Sequence, residues 1–346
     1  PEGLIPFVLA NSLGDKAIIH ICEHENRLLL LEDQLKSLLP PEDILIFPPW
    51  DCLPYDRVSP KKDSVGKRLE TLMALLEHKK TFCLLTTPLA FVQRLMPKNL
   101  LKEAFFHIKK EHVFDARAFK VYMQSHGYRR VETVREPGEF ATRGSIIDLF
   151  PSQSDTPIRM DLFGDQVESI RTFDALTQRS LDFLETFSLL PAQEIVLNPE
   201  TIKNFREGYR KIAGSTLEKD ALYQSICEGK AFPGMDHWLP LFYGDCSTLV
   251  DYMPASFHVS LEHQTKQALF SCLNEIDDYY QSRERAPKKW GEPPYHPVPV
   301  SMFYQTIHEI ETLFNKTKWQ DYSPYSSGRN TKEFKAAFHF STLRQK

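Results

Sequence analysis

KAIIHIC at residues 16–22, ILIFPP at 44–49 and TFCLLTTP at 81–88 are short apolar runs rich in Ile, Leu and Phe, and the segments between them decide the fold. HENRLLLLEDQLKSLL, beginning at His24, and DSVGKRLETLMALLEHK, beginning at Asp63, place Leu at three- and four-residue spacing. That spacing gives each segment an apolar stripe to lay on a sheet. The order is strand, helix, strand, helix, strand, which predicts a parallel α/β domain.

Beyond residue 111 the texture changes. After a helical stretch, FDARAFKVYMQSHG, the chain alternates with period two between turn residues. YRRVETV, GEFATRG, SIIDLF, PIRMDLF and VESIRTF predict a small antiparallel sheet, divided by Pro137-Gly138, by PSQSDTP and by Gly164-Asp165. Past Leu190-Pro191 the helical periods return in TIKNFREGYRKIA, in the aromatic-rich HWLPLFY and in EHQTKQALFSCLNEIDDYYQSRERA, with STLVDYMP reading as a strand. A Pro-rich crossing, EPPYHPVPV, leads to one more helix, SMFYQTIHEIETLFNK. The division that follows is 1–110 and 191–320 as two pieces of one parallel-sheet domain, 111–190 as an inserted β-rich α+β domain, and 321–346, with its polar YSSGRNTKE, as linker. No internal repeat is visible.

Composition is that of a soluble globular protein: 346 residues, 42% apolar, 25% charged, enough for two or three domains. With 42 Lys plus Arg against 46 Asp plus Glu, a net of -4, no overall positive field draws the chain to nucleic acid or to an anionic membrane. Six scattered cysteines without C-x-x-C pairs make neither a zinc site nor a disulfide framework and fit a reducing cytoplasm. No run approaches the roughly 20 apolar residues of a membrane span. The start, Pro1-Glu2-Gly3-Leu4, has no initiating Met and predicts a piece of a longer protein.

A parallel α/β domain raises the question of nucleotide. Phosphate is held by glycines and a Lys in the first strand-to-helix turn, whose backbone N–H groups and charge face the anion. Here that turn is Glu23-His24-Glu25, anionic and without glycine; Gly14 lies at the wrong end of the strand. Hydrolysis also needs an Asp-Glu pair after a later strand, and the candidate, Ser260-Leu261-Glu262-His263, lacks the metal-binding Asp. Neither a G-x-S-x-G elbow nor an H-E-x-x-H helix is present. His237, beside Trp238 in an apolar run, reads as a packing histidine.

The predicted inserted sheet is more informative. Alternation in Ile158-Arg159-Met160-Asp161-Leu162-Phe163 sends Arg159, Asp161 and Phe163 to one face, with Arg159 and Phe163 about 13 Å apart. Between Gly127 and Ser180 there are seven Arg, no Lys and nine acidic residues, a net of 7 - 9 = -2. Arg without Lys among aromatics and carboxylates is the make-up of a protein interface rather than of a DNA-binding strip. A solvated sheet face with cross-strand ion pairs explains the same residues equally well.

These residues resemble a known family. Gly127-Tyr128-Arg129, then Pro137-Gly138-Glu139-Phe140-Ala141-Thr142-Arg143-Gly144-Ser145-Ile146-Ile147-Asp148-Leu149-Phe150-Pro151, then RMDLFGDQVESIRTFDALTQRS, are similar to the UvrA-interaction domain shared by UvrB and the transcription-repair coupling factors (Mfd). FPPWDCLPYDRVSPKKDSVGKRLETL at 47–72 and GMDHWLPLFY at 234–243 resemble the coupling factors rather than UvrB. The likeness covers roughly residues 1 to 320 and implies a degenerate helicase-like domain in two sequence pieces, carrying the UvrA-binding domain between them. By motif the family's UvrA contacts fall on Arg143, Arg159 and Phe163, with Asp161 and Arg171 as further partner-binding candidates, which favours the interface reading. The phosphate turn and the Asp-Glu pair are lost, and the segment after 47–60 is too short for the tyrosine-rich hairpin with which UvrB probes damaged DNA.

The resemblance therefore implies a non-catalytic module that recruits UvrA and uses no cofactor or metal of its own. ATP and Mg²⁺, RNA polymerase and double-stranded DNA would belong to the motor and polymerase-binding parts of a parent translocase, beyond Lys346. Two alternatives are a UvrB-like domain that binds ATP or damaged DNA, and an autoinhibitory domain whose UvrA face is masked by the parent's C-terminal region.

Overall fold

The structure, a computed structural model, describes residues 2–14, 16–77, 81–214, 220–285, 295–317 and 319–322. Of the expected linker, 321–346, residues 323–346 lie outside them, and Asp321 and Tyr322 instead end a strand of the parallel sheet. The chain begins with α1 (Ile5–Ser12), β1 (Ala17–Ile21), α2 (Glu25–Lys36), β2 (Ile44–Phe47), α3 (Lys62–Glu77), β3 (Cys83–Thr86), α4 (Pro88–Val92) and α5 (Lys98–Ala104). It continues through β4 (Phe106–Lys109), α6 (Ala116–Ser125), β5 (Arg129–Arg130), β6 (Glu139–Arg143), β7 (Ile146–Leu149), β8 (Ile158–Phe163), β9 (Gln166–Phe173), β10 (Ser180–Leu184) and β11 (Thr186–Leu189). It then runs through α7 (Pro199–Ala213), α8 (Ala221–Cys227), α9 (Leu239–Tyr243), β12 (Phe257–Glu262), α10 (Thr265–Arg285), α11 (Val300–Phe303), α12 (Ile307–Lys316) and β13 (Trp319–Tyr322).

The fold is mixed α/β, a parallel sheet joined to an antiparallel β-rich region, as the periodicities predict. In the parallel sheet the order is β13-β12-β1-β3-β2, with every pairing parallel. Strands from both ends of the chain thus share one sheet. Alternate residues of β1 face opposite layers. Ile18 and Cys22 pack with Leu28, Leu31 and Leu35 of α2, and Ile19 and Ile21 lie in the larger core with Leu69 and Leu72 of α3. Leu at three- and four-residue spacing puts those side chains on one stripe, so each helix covers one face of the sheet.

Six strands form the second sheet, in the order β10-β9-β8-β7-β6-β5. Phe140, Ile147, Leu149, Met160, Val167 and Ile170 face one core, shared with Phe119 and Met123 of α6. The opposite face carries a small cluster, Val134, Ala141, Phe150 and Phe173. Four of the expected strands form as alternation predicts. The fifth, YRRVETV, shortens to Arg129–Arg130 and pairs parallel to β6, so the sheet is not wholly antiparallel. The cause is local. Glu139 accepts from the backbone N–H groups of Arg135 and Glu136 and from Arg129, which curls residues 131–138 into a turn. Burial alone would raise the Glu139 carboxyl, but these donors hold it below its ordinary range.

Three further features depart from the expectation. β4 and β11 pair antiparallel, Phe106 opposite Leu189, a two-stranded unit that periodicity did not reveal. STLVDYMP is not a strand: Leu249–Tyr252 is one 3-10 turn, closed by a capping box in which Thr248 and Asp251 bond each other's backbone N–H groups. SMFYQTIHEIETLFNK is two helices, because Gln305 donates its backbone N–H to Val92 O and its side-chain amide to Phe91 O, pulling residues 304–306 out of the helix. Thr306 then caps α12 afresh with Glu309.

A buried ion pair joins the first part of the chain to the segment that follows the second sheet. Arg68 of α3 donates from Nε to Glu194 at 2.7 Å, from Nη1 to Pro48 O at 2.7 Å and from Nη2 to Gln93 Oε1 at 3.0 Å. Trp50 Nε1 also reaches Glu194, at 2.8 Å. Both charges are shut off from water, and each is tolerable because it faces the other; Glu194 Oε1 accepts from both Arg68 and Trp50, while its Oε2 has no hydrogen-bond partner among the described residues.

Candidate protein-docking face

Register decides which side chains of the second sheet share a face. β7 opposes Asp148 to Arg159 and Ile146 to Asp161, and β9 opposes Arg171 to Arg159 and Ser169 to Asp161. β6 opposes Ala141 to Asp148 and Arg143 to Ile146, and Phe183 of β10 stands opposite Arg171. Two adjacent rows result, Ala141–Asp148–Arg159–Arg171–Phe183 and Arg143–Ile146–Asp161–Ser169, on the side away from the Phe140–Ile147–Met160 core. All four charged candidates, Arg143, Arg159, Asp161 and Arg171, lie in these rows. A bulge in β9 after Asp161's partner leaves the alternation of β8 intact, so Phe163 continues the same face at the strand's end, opposite Gln166.

Exposure differs sharply among them. Phe163 is 76% exposed. Arg159 is largely committed within the chain. Its Nε and Nη2 hold both oxygens of Asp148 at 2.6 and 2.9 Å, its Nη1 donates to Gln178 O at 3.2 Å, and its guanidinium lies 4.7 Å from the Phe173 ring centre. The Arg159 side chain is 16% exposed and that of Asp148 3%. Hydrogen bonds donated to Asp148 raise the Arg159 pKa, so its charge is fixed at any working pH. Asp161 accepts from Ser169 at 2.8 Å and from Arg171, whose guanidinium lies 5.7 Å from the Phe183 ring. Arg143 is exposed and donates to Glu132 O and to the Thr133 hydroxyl. The rows therefore form a braced ion-pair lattice with apolar rings at its ends. Sequence reasoning missed Phe183 and Leu181, exposed at 73% and 52% on the edge strand β10. Their alternation in Ser-Leu-Asp-Phe-Leu was the available signal.

The parallel sheet offers a second concavity, a cleft of about 760 Å³ at the carboxyl ends of its strands. Here α2 is capped by His24, whose ring accepts the Arg27 N–H, with Glu25 in the first helical turn. Glu262, the surviving member of the expected Asp-Glu pair, accepts from Arg27 Nε at 2.6 Å and lies 3.6 Å from His20 Nε2. Ser260, on the same strand, is hydrogen-bonded to His20 Nδ1 at 2.8 Å. Carboxylates at the mouth and an internal Arg–Glu pair do not fit a triphosphate and its Mg²⁺. The predicted packing histidine, His237, is buried between Trp50 and Phe303, with ring centres 5.6 and 6.5 Å away.

Comparisons with known proteins agree with this architecture. Residues 106–195 match the family described as the UvrB interaction domain, which includes both β4 and β11. The chain is 38% identical over 233 residues to the transcription-repair-coupling factor of Haemophilus influenzae, covering 67% of this chain and 20% of that protein. Against the factor of Rickettsia bellii it is 32% identical over 308 residues, 88% of this chain and 27% of that protein. Against that of Escherichia coli K12 the identity is 33% over 240 residues, 69% and 21%. Between the two sequence halves of a parallel α/β sheet the chain thus carries a β-rich region that matches the UvrB interaction domain. The chain belongs to the transcription-repair coupling factor family, as a counterpart of its N-terminal, UvrB-homologous region. It spans 20% to 27% of the length of these relatives.

Proposed function

We propose that this chain is a non-catalytic docking module that captures UvrA through the Arg143–Arg159–Phe163 face and so brings excision repair to RNA polymerase stalled at DNA damage. The observation that carries the reading is the register, which collects every charged candidate in two neighbouring rows and leaves Phe163 open at their end. A rigid lattice of paired charges with an exposed aromatic anchor suits a partner surface that must be met in one orientation. The parallel sheet is, on this reading, a degenerate helicase-like domain in two pieces, 1–110 and 191–320, that carries the docking domain of residues 111–190. ATP-driven translocation and polymerase displacement belong to other parts of the whole protein. ATP or damaged-DNA binding by this region is disfavoured by Glu23-His24-Glu25 and by the Arg27–Glu262 pair.

Calorimetric titration of the chain with purified UvrA tests the proposal. A complex at micromolar concentration is expected, weakened by Phe163→Ala and by Arg143→Ala. Absence of a complex sinks the reading.

A further inference from the structure

We propose that the cleft at the carboxyl ends of the parallel strands binds an organic cation, a primary ammonium or guanidinium head on a methylene stem. The cleft lies where the sheet order reverses, between β1 and its neighbours β12 and β3, the place at which open parallel sheets form ligand crevices. Glu23 and Glu25 line one side and Glu275 of α10 another, and none of the three has an ion-pair partner among the described residues. The positive end of α2 is already met by the His24 cap and by Glu25, so nothing there attracts an anion.

Thr87, also lining the cleft, is a second and independent sign of a ligand. It is 3% exposed, and its hydroxyl has no hydrogen-bond partner among the described residues, although it stands where it could cap α4. A buried hydroxyl left unpaired is costly, and an N–H donor entering the cleft would satisfy it. Pro49, Pro88, Leu89 and Ala268 supply apolar walls for a methylene stem. Among the described residues no group of three or more His, Cys, Asp and Glu side chains is placed to hold a metal ion, so the uncompensated charge calls for an organic cation. A polyamine and a Lys or Arg side chain of a protein segment share this chemistry.

The test is calorimetric titration of the chain with spermidine, with the peptide acetyl-Gly-Arg-Lys-Gly-amide, and with inorganic pyrophosphate as the anionic probe. Saturable binding of either cation is expected, weakened roughly tenfold by Glu25→Gln and by Glu275→Gln, the scale of one charge-assisted hydrogen bond. Thr87→Val should weaken it as well, and Thr87→Ser, which keeps the hydroxyl, should not. Binding of spermidine alone points to a free polyamine, and binding of the peptide alone to a protein segment. Saturable pyrophosphate binding lost in the same variants, no binding of either cation at millimolar concentration, or cation binding unchanged in both Gln variants overturns the proposal. Both Glu side chains stand at the surface, so these variants keep the fold, and an unshifted thermal midpoint verifies it.

Discussion

Truncating Phe163 to Ala removes a ring that solvent already reaches over most of its surface, so the folded chain loses little apolar burial. Truncating Arg159 strips a nearly buried carboxylate, Asp148, of both its guanidinium hydrogen bonds. The two variants should therefore separate. Phe163→Ala leaves the urea midpoint unchanged and weakens UvrA binding by about 2 kcal/mol, the loss of one aromatic anchor. Arg159→Ala lowers stability by about 2 to 3 kcal/mol, below the full penalty of a deeply buried pair because Arg159 keeps some contact with water. Binding lost by Arg159→Ala with no loss of stability would mean that the guanidinium is a contact and not a strut. Alternation placed both residues on one face correctly. What it could not supply was Asp148, an acidic residue on the neighbouring strand whose opposition to Arg159 depends on the register of β7 against β8. Alternation in 180–184 could have marked Phe183 as exposed, but its place beside Arg171 depends on the pairing of β10 with β9.

At the scale of elements, α3 shows how packing overrides propensity. Gly66 lies inside this helix, where glycine costs about 1 kcal/mol against Ala. A Cβ there would stand 2.1 Å from the carbonyl oxygen of Ser152, in the loop between β7 and β8. The missing side chain lets the helix of the first sheet touch backbone of the second. Gly66→Ala is expected to destabilise by about 2 kcal/mol despite the better propensity, as overpacking does, and a guanidinium chloride melt reads it directly. A stabilised variant would show that the two backbones part freely. β1, β2, β3 and the helices between them were legible from apolar runs and Leu stripes, whereas β12 and β13 were not predicted as strands. Nor were β4 and β11, because four-residue strands about eighty positions apart carry no local period. The turn at Leu249–Tyr252 and the restart of α12 did leave a local mark, Thr-x-x-Asp at 248–251 and Thr-x-x-Glu at 306–309, the spacing of a capping box.

For the whole molecule the main joint is chemical as much as geometric. Arg68 and Glu194 clamp the residues before and after the second sheet, and close to that clamp Trp50 packs its ring against His237. Burial pushes the His237 imidazole down from 6.5 to about 4, so the folded chain holds it neutral where an unfolded chain would protonate it. Above pH 6.5 neither state binds the proton and this histidine contributes no slope. Between pH 6.5 and about 4 the unfolded state takes up a proton that the folded state refuses, and stability falls as the pH is lowered. A displacement of that size amounts to about 3 kcal/mol once pH 4 is reached. His126, lowered by burial to about 4 as well, adds to the same slope. Asp236 opposes it, because burial raises its carboxyl and the folded chain then takes up a proton more readily than the unfolded one as the pH falls. The contribution of His237 is isolated by difference: between pH 7 and pH 4, His237→Leu should lose about 3 kcal/mol less stability than the parent chain, read from urea midpoints. Equal losses would mean that acid opens this core by protonating another group.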